Sequence, residues 1–155
     1  MLVQLMARFH EEVFGIYFDD LDSFQILHNA RYLLLFERAV GAFWGKIGFS
    51  SFVHGENPDQ FHLVRHNEVD YLAPVRGIGE VRVRVAVERL GRSSLTFGFR
   101  MLPMDRDEDF ATGRRTVVHV DGEGLGSRPW SDSFRQCIEP WRVCGDEKGE
   151  GPVKS

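Results

Sequence analysis

The sequence predicts an α+β fold in which one antiparallel sheet of about five strands wraps a single long helix. Three observations carry this expectation. Apolar residues recur at helical spacing through only one long segment, Asn29 to Ile47. The segments around it alternate or are rich in β-branched and aromatic residues. The later alternating segments are joined by turns too short for a crossover helix, so neighbouring strands must run antiparallel.

Residues 11–18 (EEVFGIYF) are rich in β-formers and read as the first strand, followed by an acidic corner, Asp19-Asp20-Leu21-Asp22-Ser23, and a loop to His28. Asn29 suits a helix N-cap, because its side-chain oxygen can accept from the unsatisfied N–H groups of the first turn. At 100° per residue, Leu33, Phe36, Val40, Phe43, Trp44 and Ile47 share one face, and Arg31, Arg38 and Lys46 lie opposite. Leu34 and Leu35 widen the apolar arc beyond that of a surface helix, so the helix is expected to be enclosed by a curved sheet and a second chain. Gly48 ends it. Residues 50–60 carry loop composition. Leu63 to Tyr71 is a strand stopped at Pro74. Val81, Val83, Val85 and Val87 alternate with charged residues, and after the turn Leu90-Gly91-Arg92, Leu95, Phe97, Phe99 and Met101 alternate again. Asp105 to Asp109 is a charged turn, Phe110 to Val120 a further strand, and Ser131 to Ile138 a short helix.

With 155 residues, 43% of them hydrophobic and 27% charged, the chain is long enough for one domain with a full core and too apolar to be disordered. The expected division is one domain over 1–140 and a flexible polar tail over 141–155. A net charge of −4 excludes a generally basic nucleic-acid-binding surface. No apolar run approaches the length of a membrane span, and Glu11 and Glu12 interrupt the apolar start before it could serve as a signal peptide. Cys137 and Cys144 lack metal-ligand spacing and read as free thiols, which suits a cytoplasmic protein. His62 and His66 are four apart in a predicted strand, about 13 Å, too far for one metal. Residues 20–24 begin like a calcium loop without its glycine, and Gly122 to Gly126 lacks the lysine of a phosphate loop. No metal site and no cofactor is therefore expected.

The stretch YFDDLDSFQILHNARYLLLFERA, residues 17–39, resembles the hotdog-fold acyl-CoA thioesterases of the 4-hydroxybenzoyl-CoA thioesterase group. The shared features are an acidic D-x-D turn after the first strand, an Asn- or His-bearing helix start about seven residues later, then a Tyr and a Phe-Glu-x-Ala segment. Downstream, Val69-Asp70-Tyr71-Leu72-Ala73-Pro74, Leu90 to Phe97, and Ala111-Thr112-Gly113-Arg114 follow in the family's order, so the resemblance spans roughly residues 10–138.

That resemblance implies hydrolysis of an acyl-CoA thioester to a carboxylic acid and free coenzyme A, the coenzyme entering only as part of the substrate. Asp22 falls at the family's catalytic aspartate, where it would act as base or nucleophile; on residue chemistry alone a turn acid is the favoured reading. The backbone N–H near Asn29 falls where the family polarises the thioester carbonyl, and the Asn29 side chain caps the helix, touches substrate, or both. His28 and Tyr32 are implied to line the substrate, His28 alternatively simply packing. Arg92, Ser93 and Ser94, at a turn that relatives place near the coenzyme, are the expected phosphate partners. Nine of the sixteen arginines fall between Arg76 and Arg115 against six acids, a run that reads either as a solvated strand face or as phosphate capture. Phe24-Gln25 departs from the family, which often has Gly in this loop. Glu37 sits at the edge of the apolar helix face and needs a hydrogen-bond partner there. The resemblance also implies a homo-oligomer, dimer or tetramer, with no nucleic-acid or membrane partner. A hotdog hydratase or dehydratase, and a non-catalytic acyl-binding protein, are the alternatives.

Overall fold

The computed structural model describes residues 8–49 and 57–143. Its elements run β1 (His10–Ile16), a 3-10 turn (Phe18–Asp20), α1 (Asn29–Ile47), β2 (His62–Tyr71), β3 (Gly79–Leu90), β4 (Ser94–Leu102), β5 (Ala111–His119) and α2 (Asp132–Ile138). The strands form one five-stranded sheet in the order β1-β3-β4-β5-β2, every neighbouring pair antiparallel. This is the hotdog architecture, with α1 laid across the inner face.

Alternation explains why the sheet has an inside. Val81, Val83, Val85 and Val87 of β3 and Leu95, Phe97, Phe99 and Met101 of β4 all point inward and are buried. From α1 they receive Tyr32, Leu35, Phe36, Ala39, Val40, Phe43 and Trp44. The helix comes so close to β5 that the ring of Phe36 would lie 3.0 Å from a Cβ built on Gly113. The same ring stacks on Phe99, the cross-strand neighbour of Gly113, centroids 4.4 Å apart.

The outer face carries much of the arginine run, although Arg115 is buried against Glu37. Arg84 donates to Glu11 and Asp107, Arg82 to Asp107, Arg100 to Asp109, and Arg114 to Glu88 and Glu68. These four guanidiniums already face carboxylates, so this part of the run is a solvated, charge-paired strand face.

Several expectations are corrected. The first strand ends at Ile16, because the N–H of Tyr17 donates to Asp20 Oδ2 and turns the chain. The N-cap of α1 is His28, not Asn29: His28 is extended, its Nδ1 accepts from the Ala30 N–H at 3.1 Å, and Asn29 is already helical. Leu35 is a core residue at 4% exposure, so only Leu34, at 36%, remains for a second chain. Leu33 is only half-buried, because the arc that the sheet covers is centred on Phe36 and Ala39. The packed domain also continues past residue 140: Trp141 is buried against Phe43, and the Val143 N–H donates to the Val87 carbonyl. Cys144 and the segment expected as a tail from Gly145 lie outside the described residues.

At the far end of the sheet, the loop before β2 and the segment after β5 are pinned by buried polar groups. Both ring nitrogens of His119 face backbone carbonyls: Nε2 that of Pro58 at 2.9 Å, and Nδ1 those of Arg128 and Pro129 at 3.1 Å. Asp59 accepts from the Ser131 N–H at 2.8 Å and from the Ser131 hydroxyl at 2.5 Å, and its carboxylate lies 3.9 Å from His119 Nδ1. Glu37 meets its expected partner in Arg115, a buried guanidinium whose Nε also donates to Asn67 Oδ1 at 2.8 Å.

Candidate active site

The loop from Asp20 to His28 is built by its own side chains. Asp22 Oδ1 accepts from the N–H groups of Phe24 at 2.8 Å and Ile26 at 3.3 Å, which bends the chain back on itself. The Asp22 N–H donates to the Ile26 carbonyl, and Leu21 bridges Leu27. At the tip, Gln25 takes φ +61°, the left-handed region where a glycine costs nothing. The departure noted in the sequence thus occupies a position whose backbone favours the family's glycine. The loop docks on the segment before β3: the Leu27 N–H donates to the Val75 carbonyl, and the Gly77 N–H to the Gln25 carbonyl, each at 2.9 Å.

Asp20 secures the join to α1. Its carbonyl accepts from the His28 N–H at 2.9 Å, its carboxylate lies 3.5 Å from Arg31 Nε, and Arg31 Nη2 donates to the Asp19 carbonyl. The acids Asp19 and Asp20 therefore serve the turn, as their position in the sequence suggests.

Asp22, His28, Asn29 and Tyr32 line one cleft of about 470 Å³, whose opposite wall is Tyr71 to Pro74. Asp22 is half-buried there, and only its Oδ1 is engaged among the described residues; Oδ2 has no protein partner. At the first turn of α1, Ala30 N–H is taken by His28 Nδ1 and Arg31 N–H by the His28 carbonyl. Among the described residues nothing accepts from the Asn29 N–H. The two walls are tied by tyrosines: Tyr71 Oη donates to the Asn29 carbonyl at 3.1 Å, and Tyr32 meets the Tyr71 ring edge-on at 4.9 Å. Burial pushes the Tyr32 phenol above its ordinary pKa, partly offset by a hydrogen bond at the Val75 backbone, with Tyr71 adding slightly to the rise. It is a neutral wall of the cleft and not a titrating group at physiological pH.

Arg92, Ser93 and Ser94 are not part of this cleft. They form the β3–β4 turn, while the cleft sits where β2 and β4 end, so the length of β4 from Ser94 to Leu102 separates them within one chain. The backbone of the turn is occupied structurally: the Ser93 carbonyl accepts from the His119 N–H at 2.7 Å, and the Arg92 carbonyl from the Trp130 N–H and Arg135 Nη2. Tyr71 and its neighbours, conversely, carry no site signal of their own in the sequence. Their motif, Val69 to Pro74, was visible in the sequence, but only the pairing of Tyr71 with Ala111 in the sheet places its end opposite Asp22. Among the described residues no group of His, Cys, Asp and Glu is arranged to hold a metal ion, and no helix is long and apolar enough to cross a membrane.

The model of a thioesterase-like superfamily matches residues 16–138. The chain belongs to that superfamily. Among solved structures similar to it, the PA5185 protein of Pseudomonas aeruginosa superposes with a TM-score of 0.78 at 23% identity, over 87% of this chain and 92% of that one. PA2801 of the same organism, a putative thioesterase, gives 0.74 at 26% identity, over 83% and 97%. The SAV2348 protein of Staphylococcus aureus, solved in complex with CoA, gives 0.77 at 14% identity, over 87% and 84%. The superfamily match begins at the last residue of β1 and ends at the last residue of α2, so it takes in both walls of the cleft.

Proposed function

We propose that this protein is an acyl-CoA thioesterase of the kind the 4-hydroxybenzoyl-CoA thioesterase group represents. The observation that carries the reading is the meeting of Asp22 and the Asn29 helix start in one cleft, the first with an unengaged carboxylate oxygen and the second with an unengaged N–H. Membership of the thioesterase-like superfamily and the CoA held by a structural neighbour support it.

The chemistry follows from those two groups. A thioester carbonyl placed with its oxygen on the Asn29 N–H is polarised by that donor and by the positive end of α1. With Asp22 as base, Oδ2 takes a proton from water, the water oxygen bonds to the carbonyl carbon, and the charge moves to the carbonyl oxygen. Collapse of the tetrahedral state breaks the carbon–sulfur bond and releases CoA thiolate, which regains a proton from the carboxyl group or solvent. With Asp22 as nucleophile, Oδ2 bonds to the carbon first, thiolate leaves, and water hydrolyses the resulting anhydride. Label found in Asp22 after a single turnover in ¹⁸O-water identifies the second route with water attacking the Asp22 carboxyl carbon of the anhydride, since the first route puts label only into the product acid.

A homodimer completes the reading. β2 is an edge strand exposed on both faces, with Leu63, Val64, Tyr71 and Leu72 all open to solvent in the single chain. An open strand edge of this length calls for a second chain beside it, and its Tyr71 end borders the cleft.

The test is thiol release from a panel of acyl-CoAs by the wild type and by Asp22→Asn. Asn keeps an oxygen to accept from Phe24 and Ile26, so the fold should survive with a stability change within about 1 kcal/mol. Activity should fall by roughly a hundredfold or more. A variant that folds and retains its rate would move the carboxylate role elsewhere, with Glu37 next in line. A wild type that binds acyl-CoA without releasing thiol would make the protein an acyl-binding member of the fold.

A further inference from the structure

Resting on the thioesterase reading, we infer that this cleft admits short or single-ring acyl groups and stops long aliphatic chains at the wall formed by Tyr32 and Tyr71. The region behind that wall is solid. Tyr32 is itself 3% exposed, and Leu27 and Val75 beside it are buried. Next along α1 comes Phe36, fully buried and clamped between Phe99 and the Cβ-less face of Gly113. Phe43 and Trp44 then fill the space up to Phe97. The cavity at the far end, under Trp44, His62 and Phe134, measures about 10 Å³, roughly the room needed for a single water. A chain entering at Asn29 therefore finds no channel under the helix. Its open wall, by contrast, is an aromatic surface: Tyr71 is 51% exposed and pinned through its hydroxyl to Asn29, and Pro74 continues it. A flat ring or a few methylenes can lie against that surface while the carbonyl reaches the Asn29 N–H.

Each methylene that a pocket buries raises affinity about fourfold; a methylene left in water adds nothing. The experiment is kcat/KM along acetyl-, butyryl-, hexanoyl-, octanoyl- and palmitoyl-CoA, with benzoyl-CoA beside them, using the full chain in whatever assembly it forms. The expected profile climbs to hexanoyl, matches it within about threefold at benzoyl, and is flat or falling from octanoyl onward. Tyr32→Ala, or Tyr71→Ala if the first fails to fold, should move the break toward longer chains. Palmitoyl-CoA turned over as well as or better than hexanoyl-CoA would overturn the inference, as would a tunnel between two copies that produced the same result. Binding of the inert thioethers S-hexyl-CoA and S-hexadecyl-CoA separates this from the catalytic reading. If no ester is hydrolysed yet the two thioethers bind within about threefold of each other, the acyl limit stands and catalysis alone has failed. A hexadecyl preference above a hundredfold, or no binding of either, removes the limit itself.

Discussion

Replacing His119 by Phe should destabilise the protein severely although the residue lies far from the cleft. Phe keeps the ring that stacks on Trp130 at 4.8 Å and deletes both nitrogens. The carbonyls of Pro58, Arg128 and Pro129 then lose their donor, and the enclosed Asp59 carboxylate loses a neighbour at 3.9 Å. Leaving a buried acceptor unpaired costs about 1–3 kcal/mol, so a loss of about 1–3 kcal/mol is expected for the donation that the ring supplies. With a urea slope of about 2 kcal/mol per molar, the midpoint should fall by roughly 0.5–1.5 M. Urea melts followed by tryptophan fluorescence measure this directly. A double-mutant cycle with Asp59→Asn measures how far the two side chains, 3.9 Å apart, depend on each other. A midpoint unchanged within error in His119→Phe would refute the reasoning, because it would mean those carbonyls find donors without the ring.

Other outcomes follow from single contacts. Gly113→Ala should destabilise by about 1–3 kcal/mol, since the new Cβ would lie 2.6 Å from the Glu68 carbonyl oxygen and 3.0 Å from the Phe36 ring; thermal melts check it. Gln25→Gly should stabilise by about 0.5–1 kcal/mol, because φ +61° strains any residue with a Cβ; a lower melting temperature would show that the Gln side chain makes up for the strain. His62 has its pKa pushed below the ordinary 6.5, first by burial, then by the positive charges of His119 and Arg115, with Glu37 opposing. The unfolded chain thus binds that proton more tightly, so the stability involved is full above about pH 6.5 and is lost as the pH falls through the lower folded value. Urea midpoints from neutral to mildly acidic pH should drop more steeply in the wild type than in His62→Gln.

Much of this was legible in the amino-acid order, and the reasons are local. The valines of β3 and the Leu-Phe-Phe-Met series of β4 alternate cleanly because each strand has one wet and one dry face, so their extents could be read directly. The helix bounds were equally plain, since its apolar spacing begins and ends at Asn29 and Ile47. Asp22 and Asn29 were visible because a D-x-D turn before a helix is a pattern in one short stretch of chain. The cap was misread by one residue because capping depends on backbone angles: His28 is extended and Asn29 helical, a distinction that side-chain type alone does not make.

What the chain order by itself determined is the inventory: one enclosed helix, a set of alternating strands, and a carboxylate seven residues before a helix start. Only the tertiary structure decided which distant pieces meet. It put Tyr71 against Asn29 and removed Arg92, Ser93 and Ser94 to the opposite end, because strand order and register couple residues far apart in sequence. It paired Arg82, Arg84, Arg100 and Arg114 with carboxylates on the outer face, and it packed Phe36 against Phe99 under the helix. Periodicity reports which side of an element is dry; how deep a cleft goes depends on how side chains from several elements fill the same space, and that is settled only when they are folded together.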